Sequence, residues 1–192
     1  EPGVVTGDLQ ERLKRRGLFY PPDPASARLS TVGGNVATGA GGMRAVKYGV
    51  TRDYVLGVEA VLPGGRTVRL GGRAHKNAVG LDLARLFVGS EGTLGLVTEI
   101  TLKLLPLPEA SATLLAAFGS LEAALAGAGA IFRAGALPSA LELLAEETLA
   151  CLARYAPAHP LPWPEGTRAV LLLRLDGGRE TLPAEWMERE AA

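Results

Sequence analysis

Thr31-Val32-Gly33-Gly34-Asn35-Val36-Ala37-Thr38-Gly39-Ala40-Gly41-Gly42 is the stretch on which the reading of this chain turns, and Gly89-Ser90-Glu91-Gly92-Thr93-Leu94-Gly95 answers it further along. Five glycines in the first run remove side chains where something must approach the backbone closely. The expectation is a loop whose amide N–H groups are left to bind anionic or carbonyl oxygens, since a core helix or strand tolerates so many glycines poorly. A plain surface loop is the alternative that glycine content alone leaves open.

Outward from this run, the flanks show regular texture. Gly7 to Arg16 carries Leu9 and Leu13 at helical spacing, with Asp8 at its start and Gly17 past its end, which predicts a short capped helix. Pro21-Pro22-Asp23-Pro24 forces an extended loop between that helix and the glycine run. Tyr54 to Leu62, the turn Pro63-Gly64-Gly65-Arg66, and Thr67 to Leu70 together predict a hairpin. Leu81 to Leu86 reads as a short helix, and Thr98 to Leu104 alternates polar and apolar residues as a half-buried antiparallel strand does.

Pro106-Leu107-Pro108 marks the expected boundary between a segment 1–107 and a segment 108–192. Beyond it, Thr113–Phe118, Ala140–Leu144 and Ala169–Leu175 predict strands. Leu121–Ala134, opened by Ser120, and Glu146–Tyr155 predict helices, with Pro157–Pro164 as a loop. The fold class is α+β, sheet layers covered by helices.

Composition narrows the function classes. A chain of 192 residues buries roughly 70% of its unfolded surface and needs no disulfide or metal to hold a core. Acidic and basic residues balance at 20 each, which disfavours nucleic acid as a partner. No apolar run is long enough to span a membrane, and the expectation is a cytoplasmic protein. Asn occurs only at 35 and 77 and Gln only at 10, a depletion that suits a thermophile and, equally, a GC-rich genome. Cys151, beside Leu149 and Leu152, reads as a small buried apolar residue. His75 and His159 are the only histidines and read as surface residues, so no soft-metal site is expected. A GxGxxG between strand and helix and a GxxxxGK[ST] loop are both missing, which excludes the common dinucleotide and P-loop motifs.

Tyr20-Pro21-Pro22-Asp23-Pro24-Ala25-Ser26, Thr31 to Ala37, Gly41-Gly42, Lys47-Tyr48-Gly49-Val50-Thr51, Val61 to Gly65 and Leu81 to Gly95 occur here in one order. In that order they resemble FAD-linked oxidases of the vanillyl-alcohol-oxidase type, with a PCMH-type FAD-binding domain. Within that family the likeness is strongest to flavin-bearing subunits of glycolate oxidase and to D-lactate dehydrogenases. The resemblance implies an α+β architecture in which 1–107 is the second subdomain of the FAD-binding domain. It implies that 108–192 is part of an α+β, ferredoxin-like cap on the substrate side.

It also implies roles for residues. Pro22, Asp23 and Pro24 would form a wall beside the flavin, continued by Gly41, Gly42, Tyr48 and Gly49. Thr31, Gly33, Gly34, Asn35 and Thr38 would contact the ribityl chain and pyrophosphate. Glu91 and Gly92 would lie near the adenosine, with Val97 bonding through its backbone. Asp23 has a second reading as a turn cap, and so has Glu91. Gly39 departs from the family, which commonly has Asn there. The expected reaction is oxidation of a small 2-hydroxy acid, glycolate or D-lactate in type, by hydride transfer to FAD. No catalytic base is assigned and no metal is expected. The chain begins, on this resemblance, after the family's first phosphate loop. A different reading is therefore a non-catalytic fragment or assembly subunit that cannot keep FAD alone. Other glycolate oxidase subunits or self-association are the expected protein partners.

Overall fold

A computed structural model describes residues 1–76, 78–155 and 163–182, and the chain divides into two compact units, Glu1–Leu107 and Pro108–Ala192. Among the described residues no helix is long and apolar enough to cross a membrane.

In the first unit, helix α1 (Thr6–Lys14) is followed by the two-residue strand β1 (Leu18–Phe19), with Gly17 turning the chain at φ 68°. Asp8 lies in the first turn of α1 and does not cap it; the cap position is Val5, without a side-chain bond. Helix α2 (Val32–Thr38) and the short α3 (Ala45–Tyr48) precede a 3₁₀ turn at Thr51–Tyr54. Strands β2 (Val55–Val61), β3 (Thr67–Gly71) and β4 (Leu96–Leu102) make an antiparallel sheet in the order β3-β2-β4. The hairpin closes as expected, with Val61 opposite Thr67. Helix α4 (Ala84–Phe87) is confined to the end of the predicted segment. Strand β5 (Leu105–Pro106) returns to pair with β1.

Alternation sets the core. Val55, Val58 and Ala60 of β2 pack with Val36 of α2, Phe87 of α4 and Val88. A second cluster gathers Leu13, Tyr20 and Tyr54, the two tyrosine rings meeting edge to face at 6.0 Å.

One expectation fails here: the glycine run does not stay a loop, because Val32–Thr38 is helical. Thr31 caps it by accepting the Gly34 N–H at 3.1 Å, and Gly39 ends it in the left-handed region at φ 65°. Those two ends override the poor propensity of Gly33 and Gly34. Gly33 is required for packing: a Cβ there would stand 2.5 Å from the Pro2 side chain.

The second unit runs β6 (Ala110–Phe118), α5 (Leu121–Arg133), β7 (Ala140–Ala145), α6 (Glu146–Tyr155) and β8 (Ala169–Gly177), then a 3₁₀ turn at Arg179–Thr181. The sheet order is β6-β8-β7, with β8 antiparallel to both neighbours. Strands β6 and β7 are therefore parallel to each other across β8, a split arrangement. Ser120 caps α5 as expected, accepting from the Ala123 N–H. Ala124 of α5 packs with Ala169 and Leu171 of β8. Residues 157–162 of the expected proline-rich loop, and His159 with them, lie outside the described residues. Cys151 corrects the sequence reading: it is exposed, whereas Leu149 is buried. Two residues along a helix turn the side chain to the opposite face, so α6 can bury only one of them.

Candidate functional site

The glycine motifs of the first unit meet each other. Gly89 and Glu91 donate their N–H groups to the carbonyls of Val36 and Ala37 at 2.9 Å each, joining the second motif to the last turn of α2. Arg52 holds the same corner, donating to the Val88 carbonyl at 2.7 Å. Beside this junction lies a cleft of about 270 Å³ lined by Pro2, Gly3, Thr31, Gly33, Gly34, Ala37, Phe87, Ser90, Gly92, Gly95, Leu96 and Val97. Among the described residues no lysine, arginine, histidine or carboxylate lines it.

The donors differ from the expectation. At the start of α2, Val32 donates to the Val4 carbonyl and Gly33 to the Pro2 carbonyl, both at 2.8 Å. Gly34 donates to the Thr31 hydroxyl and Asn35 to the Thr31 carbonyl. The helix therefore has no spare amide for an anion at its first turn, contrary to the reading of the glycine run as a set of unengaged N–H groups. Thr31 Oγ1 accepts there and keeps its own proton to give. The amides of Gly92 and Gly95, at the cleft, make no hydrogen bond with another of the described residues. These groups suit a neutral, donor-lined cradle for phosphate or ribose oxygens, and in that respect the residues fit a flavin dinucleotide.

The predicted residues separate into groups. Thr31, Gly33, Gly34, Gly92 and Val97 come together at the cleft. Asn35 turns inward: it is buried, and its amide donates to the Thr6 hydroxyl at 2.7 Å. Thr38 Oγ1 donates back along its own helix to the Gly34 carbonyl. Glu91 stands at φ 51°, the one non-glycine among the described residues with positive φ, and its neighbour Gly92 at φ 79°. Such a backbone costs of order 1–2 kcal/mol in a side-chain-bearing residue.

A second group forms a clasp. Asp23 Oδ1 accepts the Arg44 N–H at 3.2 Å and Oδ2 meets Arg44 Nε at 3.3 Å, while the Arg44 guanidinium lies 5.1 Å over the Phe19 ring. Asp23 therefore acts as a cap, on the turn that opens α3. Gly42 packs flat against it, since a Cβ there would be driven into the Asp23 carbonyl. Gly41 has more room, its nearest obstacle being the Val50 side chain at 3.3 Å. Pro22 is buried, and Pro24 follows Asp23 on the same extended segment. Gly49, at φ 81°, lies against the Asp53 carboxylate, which accepts the Val50 N–H at 2.8 Å. Tyr48 packs edge to face on Phe19 and takes the Tyr54 hydroxyl on its carbonyl.

Sequence reasoning missed Gln10, Arg52 and Tyr20. Gln10 Nε2 donates to the carbonyls of Tyr20 (3.2 Å) and Pro22 (2.7 Å). Tyr20 is fully buried, and among the described residues its hydroxyl has no hydrogen-bond partner of good geometry. Burial pushes that phenol up to about 12, and the nearby Thr51 opposes the shift only in part. Thr51 itself donates to the Ala40 carbonyl at 2.7 Å. The prolines after Tyr20 were the visible signal, because their carbonyls need donors from elsewhere.

Residues 1–71 match the family described as FAD binding domain, and residues 107–191 match FAD linked oxidases, C-terminal domain. Glycolate oxidase subunit GlcD of Bacillus subtilis is 47% identical over 191 residues, covering 100% of this chain and 40% of that protein. D-lactate dehydrogenase of Anaerostipes hadrus is 43% identical over 183 residues, covering 94% of this chain and 38% of that protein. The chain thus spans about two fifths of the length of these relatives. Among solved structures, alkyldihydroxyacetonephosphate synthase superposes with a TM-score of 0.76 at 23% identity, covering 94% of this chain and 34% of that one, a likeness of fold.

Proposed function

The chain belongs to the FAD-linked oxidases, and on that premise we propose that it supplies part of the flavin site of an enzyme oxidising a small 2-hydroxy acid of the glycolate or D-lactate type. FAD is the cofactor of this family. The observation that carries the reading is the cleft at the junction of the two glycine motifs, lined by Thr31, Gly34 and Gly92 and, among the described residues, by no charged side chain.

Thr31, by its hydroxyl, and Gly92 and Gly95, by their amides, are the groups we assign to the oxygens of the cofactor's diphosphate and sugar. Gly33 and Gly34 let it approach α2, and Val97 closes the floor. Pro22, Asp23, Pro24, Gly41, Gly42, Tyr48 and Gly49 form the wall along the isoalloxazine side, kept in place by the Asp23–Arg44 clasp. In this assignment Asn35 acts from behind, by holding α2 to Thr6. Segment 108–192 we read as part of the substrate-side cap. When bound, FAD accepts the hydride from the substrate carbon. The chain's own residues orient the cofactor and exclude water from its face.

A chain with one exposed thiol suits a reducing compartment, which supports cytoplasmic placement. The test is the visible absorbance of the purified chain before and after FAD is added and the excess removed, followed by dye-linked assays with glycolate and D-lactate. Retained flavin bands support the reading. A colourless chain that gains colour only on adding the rest of the oxidase favours a complementary fragment, and no flavin under either condition refutes the site.

A further inference from the structure

We propose that helix α1 is a spacer that sets the distance between the two walls of the flavin site, with Gln10 as its positioning residue. The inference rests on the flavin reading given above. Thr6 and Gln10 are one turn apart on α1 and so lie on the same face. Thr6 is fully buried; its hydroxyl takes the Asn35 amide of α2 at 2.7 Å and donates to the Ser30 carbonyl at 3.0 Å. Gln10 reaches the other way, placing its two amide protons on the carbonyls of Tyr20 and Pro22. One helical turn therefore joins the α2 wall to the proline wall.

The proline wall depends on such a contact more than an ordinary segment does. Pro21, Pro22 and Pro24 have no N–H, so no ladder of backbone bonds can fix them. Pro21 and Pro22 are fully buried, where their carbonyls need partners. A side chain with two donors on one nitrogen is matched to two carbonyls two residues apart, and Gln10 is the only glutamine in the chain.

The experiment uses the full chain and three variants at this position, with Glu11→Met as an exposed control on the same helix. Gln10→Met keeps the length and removes both donors, while Gln10→Lys restores a donor. FAD affinity is read by quenching of flavin fluorescence, together with the band shape of bound flavin and the melting midpoint without flavin. The expected result is FAD binding about tenfold weaker in Gln10→Met, with an altered flavin band, and substantial recovery in Gln10→Lys. Glu11→Met should match the wild type. Unchanged affinity and band shape in Gln10→Met overturn the role of Gln10 while the flavin reading stands. Failure of the wild-type chain to take FAD, alone or with the rest of the oxidase, overturns the flavin reading and this inference with it. Should Gln10→Met not fold, Gln10→Glu decides: a carboxylate offers no proton to the carbonyls and a carboxyl offers one. Its FAD affinity, relative to wild type, should then rise as pH falls, and a flat ratio overturns the proposal.

Discussion

Gly41 and Gly42 are neighbours in a run that looks uniform, yet alanine should be costly at one and nearly neutral at the other. At Gly42 the added carbon would stand 2.5 Å from both the Asp23 carbonyl carbon and Asp23 Oδ1, about an ångström inside ordinary contact. Asp23 has little freedom to retreat, being flanked by Pro22 and Pro24 and tied to Arg44 by two contacts. Overpacking against such a backbone costs about 1–3 kcal/mol, and loosening a hydrogen bond to a charged group adds about 1–2. The total for Gly42→Ala is therefore about 3 kcal/mol. At Gly41 the carbon meets only Val50 Cγ1 at 3.3 Å, a side-chain tip that can move by tenths of an ångström. Gly41→Ala should fall within about 0.5 kcal/mol of wild type, since it also restricts the unfolded chain. Urea unfolding followed by tryptophan-independent far-ultraviolet circular dichroism, without flavin present, measures both. Equal midpoints for the two variants would refute the argument that Gly42 exists to receive Asp23.

Other predictions follow from the same geometry. Tyr20→Phe removes a buried hydroxyl without a good partner and should raise stability at neutral pH by about 1 kcal/mol, measured by thermal or urea unfolding. Because the Tyr20 phenol is raised from 10.0 to about 12, the unfolded chain loses its proton first as pH climbs. Stability should therefore fall from pH 10 upward by about 2–3 kcal/mol, and Tyr20→Phe should remove that part of the loss. Glu91→Gly relieves a positive φ of 51° and should stabilise by about 1 kcal/mol; a simultaneous loss of FAD affinity would assign the carboxylate to the cofactor. The Arg69 hydrogen bond holds the Glu59 carboxyl below its usual range, aided by Thr98. That contribution is complete above the unfolded carboxylate range and is lost as pH falls through the folded value, so Glu59→Gln should flatten the acid limb of a stability–pH curve.

How far the sequence could be read depended on whether the deciding contact was local. Ser120 ahead of Leu121 and the Pro63–Arg66 turn act within a few residues, and the helix and hairpin appear where they predict, while the alternation read over Thr98–Leu104 gives a strand two residues earlier, at Leu96–Leu102. Helix α2 has local caps in Thr31 and Gly39, yet its glycines hid it because their packing is decided at a distance: Pro2 seats against Gly33, and Val4 accepts the Val32 N–H. Asn35 is a polar residue in a glycine-rich run, which reads as a ligand contact until Thr6 is found 2.7 Å away. The oxidase family was visible in motif order, whereas the division of labour within the motifs, some residues at the cleft and others clasping the chain to itself, required the fold.

Of the described strands of the second unit's sheet, the middle one comes last in the sequence. A ribosome delivers Ala110–Phe118 and Ala140–Ala145 well before Ala169–Gly177, so the two parallel strands wait with a gap between them that only β8 can fill. Until then the inner edges of both are open to pairing with other nascent chains. Vectorial synthesis thus holds the sheet of the second unit open until β8 is delivered.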